Sequence, residues 1–289
     1  MLPMDAWTGH MRRGDFAAAW ELSDAVLRAR NGAPSWHLPR HEQSIWNGAP
    51  LAGKRVLVRC YHGLGDTVQF IRYAPLLAEM AAEVIVWVQP ELQALVRTVR
   101  GVDRVLPLHD GTPDAEFDAD VEIMELPHIC RTHLGSIPAA VPYLHVDPGT
   151  LPAAPPNGAS RPNLAVGLVW QGGNWDARRS IPASLAARLA KVPGVSIYVL
   201  QRGKALADWP RGAGTVAGSD DVTEAARLMR SLGLIISIDS LPAHLAGALG
   251  VPVWTLLPAD ADWRWLEDRA DTPWYPTMRL FRQAADRPG

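Results

Sequence analysis

From Lys54 onward the chain alternates short β-branched or aliphatic runs with amphipathic stretches, and it does so in two series separated by a proline-rich interruption. A strand followed by a helical stretch and another strand of the same kind is the pattern of a parallel sheet, because parallel neighbours need a long crossover connection. The first series predicts strands over 55–60, 83–89, 104–107 and 121–124 and helices over 67–82 and 90–100, with Pro75 at a kink or break in the first helix. The second predicts strands over 164–170, 195–201, 234–238 and 251–257 and helices over 182–192, 222–232 and 241–249. Between them Pro148, Pro152, Pro155, Pro156 and Pro162 lie with Gly149 and Gly158 in a stretch without apolar periodicity, which reads as a linker. The predicted fold is therefore α/β, with two Rossmann-like halves. The expected domains are a helical segment over 1–48, a first Rossmann-like domain over 49–155 and a second over 156–289. In the helical segment Phe16, Ala19, Trp20, Leu22, Val26 and Leu27 recur at near-helical spacing after Gly14-Asp15, the signature of a helical hairpin similar to one tetratricopeptide repeat. One such unit has no neighbour of its own kind. Its apolar face is expected to pack on the following domain or to dock a protein partner.

Charge narrows the function. With 28 Lys and Arg against 30 Asp and Glu, the formal net charge is −2, which argues against a nucleic-acid partner. The two cysteines, Cys60 and Cys130, form no disulfide framework and suit a reducing compartment. The first residues lack the basic start and apolar run of a secretory signal. The longest apolar runs, 164–170 and 251–257, fall far below the ~20 residues that cross a bilayer. A cytoplasmic protein without a transmembrane segment is expected. The 12 tryptophans, against 4 Phe and 5 Tyr, fit either core packing or the stacking of sugars and bases.

In open parallel sheets ligands bind beyond the carboxyl ends of the strands, so the loops that follow strands are the site candidates. Three of them carry polar chemistry. In Tyr61-His62-Gly63-Leu64-Gly65-Asp66-Thr67 two glycines allow close backbone approach, and Asp66 is either a helix cap or a reactive carboxylate. The third glycine of a dinucleotide fingerprint is missing, as is the Gly-Lys-Ser/Thr of a P-loop. The second loop, 171–180, combines Gly172 and Gly173 with Trp175 and the adjacent Arg178 and Arg179, a set suited to phosphate. The third, Ser237-Ile238-Asp239-Ser240-Leu241-Pro242-Ala243-His244, opens a helix whose amino end favours an anion such as a diphosphate. Asp118-Ala119-Asp120 and Asp260-Ala261-Asp262 have a spacing used for divalent metals, but so short a pattern recurs by chance, and His128, Cys130 and His133 match no zinc spacing. No metal site is expected.

Taken in order, these motifs resemble glycosyltransferase family 9, the ADP-heptose:lipopolysaccharide heptosyltransferase-like proteins, and in particular bacterial members joined to tetratricopeptide repeats. The resemblance is carried by Gly63 to Phe70 with Arg72-Tyr73-Ala74-Pro75, by Val169-Trp170-Gln171-Gly172 with Arg179 to Pro182, and by Ser237 to Trp254. It continues through Asp262-Trp263-Arg264-Trp265 and Thr272 to Pro276. It implies a GT-B fold whose first domain holds the acceptor and whose second holds the donor, with inverting, metal-independent sugar transfer and no cofactor beyond a nucleotide-diphosphate sugar such as ADP-heptose. By the same resemblance Asp66 is the catalytic base; His62, which precedes Gly63-Leu64-Gly65, is expected from its position to orient Asp66 or the acceptor. Gly63, Gly65 and Gln69 line the acceptor site, while Trp170, Gln171, Gly172, Arg178, Arg179, Gln201, Asp239, Ser240 and His244 hold the donor. Leu241 stands where the lipopolysaccharide enzymes commonly carry glycine, which narrows the expected phosphate pocket. The acceptor is a glycan, a peptide or a small molecule. Two competing functions are a non-catalytic nucleotide-sugar-binding scaffold, recruited through the amino-terminal helices, and an NAD-dependent oxidoreductase, the latter disfavoured by the incomplete glycine fingerprint.

Overall fold

A computed structural model describes residues 4–153, 164–173 and 176–284. The chain divides into two units, the first made of 1–139 together with 262–268 and the second of 140–261 together with 269–289. Much of the expected linker, residues 154–163, lies outside the described residues, whereas the stretch before it is tied to the second unit: Tyr143 N–H donates to Ala248 O at 3.0 Å and Gly149 N–H to Arg227 O at 2.8 Å.

The first unit begins with helices α1 (Met4–Arg12) and α2 (Phe16–Ala29). Gly14 turns the chain between them with φ +77°, a left-handed conformation that costs glycine nothing, and Asp15 caps α2 by accepting from Ala18 N–H. Phe16, Ala19 and Trp20, spaced for one face of α2, are buried. That face is spent within the unit, where Trp20 Nε1–H donates to Thr132 O at 2.7 Å and the Asp24 carboxylate receives His128 Nε2 and Arg131 NH1, each at 2.8 Å.

Four parallel strands follow, β1 (Arg55–Arg59), β2 (Glu83–Val88), β3 (Arg104–Pro107) and β4 (Ala119–Glu122), in the order β3-β2-β1-β4. The inner strands read as near-continuous Val, Ile and Leu because parallel strands are covered on both faces. The first crossover is α3 (Leu64–Phe70), a single 3₁₀ turn and α4 (Ala74–Ala78). Pro75 has no N–H to donate backward, so one long helix gives way to two short ones. The next crossover contains α5 (Gln93–Val96), and β4 runs into α6 (Leu126–Ile129) through a 3₁₀ turn. The strand expected at 121–124 thus starts two residues earlier and ends at Glu122, where the backbone turns to bring its polar residues into the loop.

In the second unit six parallel strands, β5 (Leu164–Val169), β6 (Val195–Val199), β7 (Thr215–Val216), β8 (Leu234–Ile238), β9 (Val253–Leu257) and β10 (Met278–Arg282), line up as β10-β9-β8-β5-β6-β7. Counted from its own first strand this is 6-5-4-1-2-3, the order of a Rossmann sheet. Helices α7 (Ala183–Ala186), α8 (Val222–Arg230) and α9 (Leu241–Ala248) belong to its crossovers. Strand β10 escaped the sequence reading even though Met278 and Leu280 are buried and Arg279 is exposed between them, an alternation visible in the sequence.

Helix α9 is buried from Ala243 to Ala248, and Gly247 explains how it fits: a Cβ there stands 2.4 Å from the ring of Tyr275. That ring is fully buried and its hydroxyl is 3.0 Å from His244 Nδ1, so it has nowhere to go. Alanine favours a helix over glycine by about 1 kcal/mol, but overpacking a rigid contact costs about 1–3 kcal/mol. Gly247→Ala is therefore expected to destabilise the protein by up to about 2 kcal/mol, read as a lower urea midpoint.

Candidate functional site

Both sheets have a topological switch point, where the chain leaves the first strand for its two neighbours, and a cavity lies at the carboxyl ends of the strands there in each unit. In the first unit this point falls between β1 and β4. Gly63 caps α3 in extended conformation, and Asp66, the third residue of the helix, reaches back so that its Oδ2 accepts from Gly63 N–H at 3.0 Å. The capping and catalytic alternatives for Asp66 thus concern two oxygens of one group. Its Oδ1 is 2.5 Å from a guanidinium nitrogen of Arg264, which also binds Asp262 at 2.9 Å and lies over the rings of Trp263 and Phe70 at 4.9 and 5.5 Å. Arg264 belongs to the short segment 262–268 that the chain returns to the first unit. The orientation of Asp66 is therefore held from both sides.

His62 stands beside it, its Nδ1 2.9 Å from Glu122 Oε1 at the end of β4. Glu122 is almost fully buried and also accepts from Tyr61 N–H at 3.2 Å and Met124 N–H at 2.6 Å. Burial alone would lower the imidazole pKa, but the hydrogen bond and charge of Glu122, with the charge of Asp66, outweigh it, and the net shift is upward. Glu125, one turn further on, accepts from Ile45, Trp46 and Glu122 N–H groups at 3.1, 2.8 and 2.9 Å, and so ties the segment after α2 to the end of β4. A cavity of about 330 Å³ opens among His62, Glu122, Glu125, Trp263 and the hairpin residues Trp7 and Trp20. Gln69 is fully buried, and Gly63 and Gly65 contribute backbone at the start of α3.

In the second unit the switch point falls between β5 and β8. A cavity of about 300 Å³ is lined there by Gln171, Gly172 and Gly173 after β5, Gln201 and Arg202 after β6, and Ser240 at the cap of α9. Val169, Leu200, Met229 and Leu245 supply its apolar part. Gln201 acts as a bracket: its Oε1 accepts from Trp170 and Gln171 N–H at 3.1 and 2.9 Å, and its Nε2 donates to Gln171 O at 3.1 Å. Pro242, the second residue of α9, lacks an N–H, so this helix start offers an anion one donor fewer.

Other predicted donor residues stand away from the cavity. The Trp170 ring is buried in the core, stacked on Trp209 at 4.5 Å. Arg178 is exposed and paired with Asp176 at 2.8 Å. Arg179 donates to the Asp239 carbonyl at 2.9 Å. His244 is buried, with Nδ1 facing the Tyr275 hydroxyl and Nε2 3.7 Å from Asp239. Trp175 lies outside the described residues. The acids of the two Asp-x-Asp pairs serve arginines: Asp118 binds Arg55, Asp120 binds Arg59, Asp260 lies 3.8 Å from Arg178 and Asp262 binds Arg264. Among the described residues no group of three His, Cys, Asp or Glu side chains is placed to hold a metal ion, and no helix is long and apolar enough to cross a membrane.

The sequence singles out no role for Glu122, Glu125 or Arg202, and it carries Arg264 only within the motif Asp262-Trp263-Arg264-Trp265. The first two had a signal, acids interrupting the apolar run Val121-Glu122-Ile123-Met124-Glu125 at a strand end. For Arg264 the motif marks the residue but not its partner, because Asp66 is remote in sequence.

Each unit carries a parallel α/β sheet with a cavity at its switch point, a fold that matches solved GT-B heptosyltransferase structures. The family model of glycosyltransferase family 9 (heptosyltransferase) matches residues 201–266, a stretch that includes Gln201, Arg202, Ser240 and Arg264. Among solved structures, the family 9 glycosyl transferase from Veillonella parvula DSM 2008 superposes with a TM-score of 0.56 at 12% identity, covering 81% of this chain and 87% of its own. The E. coli ADP-heptose lps heptosyltransferase II superposes at 0.53 with 15% identity, covering 80% and 91%. A curated relative, Protein FlbA of Caulobacter vibrioides, is 26% identical over 302 residues, covering 93% of this chain. The chain spans about half the length of that relative, 49%.

Glu125 gives a pH test of this site. Burial pushes its carboxyl up from 4.5 to about 7 against the pull of the hydrogen bonds from Glu122 and Trp46. The folded protein therefore takes up a proton between these values that the unfolded chain has released, so stability falls as pH rises across the interval. A loss on the order of 3 kcal/mol across the whole interval is expected for this buried side chain. Urea unfolding across this range should show the slope in the wild type and a flatter one in Glu125→Gln.

Proposed function

We propose that the protein transfers a sugar from a nucleotide-diphosphate donor to an acceptor hydroxyl with inversion at the anomeric carbon. The carrying observation is the Asp66 carboxylate, fixed by Gly63 N–H and Arg264 at the switch point of one sheet, its charge acting on His62, which lines an open cavity. The acceptor oxygen attacks the anomeric carbon as its proton passes to Asp66, and the bond from that carbon to the phosphate oxygen breaks with its electron pair leaving on the diphosphate. His62, positioned by Glu122, orients the acceptor hydroxyl. The donor's nucleoside occupies the apolar part of the cavity in the second unit, and its diphosphate meets the backbone of Gly172 and Gly173, the cap of α9 at Ser240, and Arg202 at the rim. No divalent metal takes part in this reading. The family 9 match and the likeness to the E. coli ADP-heptose lps heptosyltransferase II support ADP-heptose as the first donor to try. The reaction is assigned to the cytoplasm, with a glycan, peptide or small molecule as acceptor.

Calorimetry against ADP, UDP and GDP, with and without magnesium, tests the donor site: one nucleotide should bind in both conditions. Asp66→Asn should lower turnover by about 10²–10⁴-fold, the contribution of a general base, with nucleotide affinity unchanged within about twofold. Retained turnover removes Asp66 from the base role.

A further inference from the structure

We infer that the amino-terminal hairpin is a wall of the acceptor site, and that the cavity beneath it takes an uncharged pyranose ring whose hydroxyl is presented at His62. The inference rests on the sugar-transfer reading above and adds to it the acceptor's class and the residues that select it.

The cavity is a product of the hairpin. More than half of its lining comes from before residue 48: Trp7, Trp20 and Val26 from the two helices, Arg30 at the cap of α2, and His41 to Ser44 and Trp46 from the segment after them. The sheet contributes the floor, with His62, Glu122 and Met124. A module that only recruited a partner would present its apolar face outward, whereas here that face closes over the carboxyl ends of β1 and β4.

What the lining offers a ligand follows from what it has already committed. The indole N–H groups are engaged inside the protein, Trp7 with Ser23 Oγ at 3.1 Å, Trp20 with Thr132 O at 2.7 Å and Trp46 with Ala49 O at 3.0 Å. These side chains therefore face the cavity with ring surface alone. The charges are matched as well: Arg30 lies 4.0 Å from Glu125 and donates to the Ser44 and Trp46 carbonyls, His62 lies 2.9 Å from Glu122, His128 meets Asp24, and His41 lies 3.5 Å from Glu42. A phosphate or an ammonium would enter without a counter-charge of its own, at a desolvation cost that a neutral ligand avoids. His62 keeps one ring nitrogen for a hydroxyl, because Nδ1 is turned to Glu122. Flat apolar walls, neutral surroundings and one hydroxyl partner describe a ligand with an apolar ring face and a hydroxylated edge. At about 330 Å³ the space is at the small end of ligand pockets and suits one or two sugar rings rather than a length of polypeptide.

The test uses the full chain with saturating ADP and a panel of methyl hexopyranosides and heptopyranosides, followed by saturation-transfer NMR, and calorimetry for ADP. At least one glycoside should bind, and both Trp7→Ala and Val26→Phe should weaken it at least tenfold while the ADP affinity stays within twofold. Val26→Phe fills empty space instead of removing packing, so it keeps the test decisive if Trp7→Ala does not fold. With an active acceptor, the same variants should raise KM more than they lower kcat. Glycoside binding unchanged in both variants, ADP binding with no glycoside bound, or competition for this cavity by a Ser/Thr peptide instead of a glycoside would each overturn the inference. Glycoside binding that depends on Trp7 and Val26 without any nucleotide binding would uphold the cavity and overturn the sugar-transfer reading.

Discussion

A parallel sheet ends in backbone N–H groups that the ladder no longer pairs, and those ends are where an α/β protein places its chemistry. Each sheet here meets that constraint with one polar side chain from a neighbouring strand. In the first unit Glu122, at the end of β4, takes the N–H groups of Tyr61 and Met124. In the second, Gln201, just past β6, takes those of Trp170 and Gln171. An uncapped loop would leave buried donors unsatisfied at about 1–3 kcal/mol each. Capping them fixes the loops that carry His62 and the Gly172-Gly173 pair, so the rigidity of both candidate sites begins with these two residues.

The first unit extends the device outward. Glu122 orients His62, Glu125 receives the segment that follows the hairpin, and Asp24 on α2 holds His128 and Arg131. Carboxylates therefore join the hairpin to the sheet in several places, and their partners are mostly backbone N–H groups or arginines. The aromatic residues fill the remaining space, with Trp20 stacked on His128 at 5.4 Å and Trp263 on Phe70 at 6.3 Å. The tryptophan excess thus serves packing and the cavity wall together, and the two explanations offered by composition are two faces of the same side chains.

Much of this was legible in the chain itself. Strands β3 and β8 end where their apolar runs end and Pro75 breaks its helix, although that helix opens at Leu64 under a Gly63 cap and not at 67 as its spacing predicts. What failed to read was of two kinds. Strand β7 has two residues and no periodicity to detect. Long-range pairing was invisible in principle: nothing near Arg264 indicates that it will meet Asp66, and nothing near His244 indicates that Tyr275 will take its imidazole. Gln201 was expected as a donor residue by family resemblance, and the structure places it in the cavity lining with both ends of its amide on backbone partners.

The sequence by itself determined the α/β class, the division into two series of strands, and the loops in which chemistry would gather. Those depend on periodicity, on glycine and proline, and on the rule that parallel strands present their carboxyl ends to ligands, all of which act over a few residues. Tertiary structure alone decided which polar groups in those loops face a cavity and which are consumed as caps and ion pairs. It also turned the hairpin from a separate segment into the roof over His62. That second set of outcomes depends on which distant groups satisfy one another once water is excluded, and burial makes this choice only after the chain has folded.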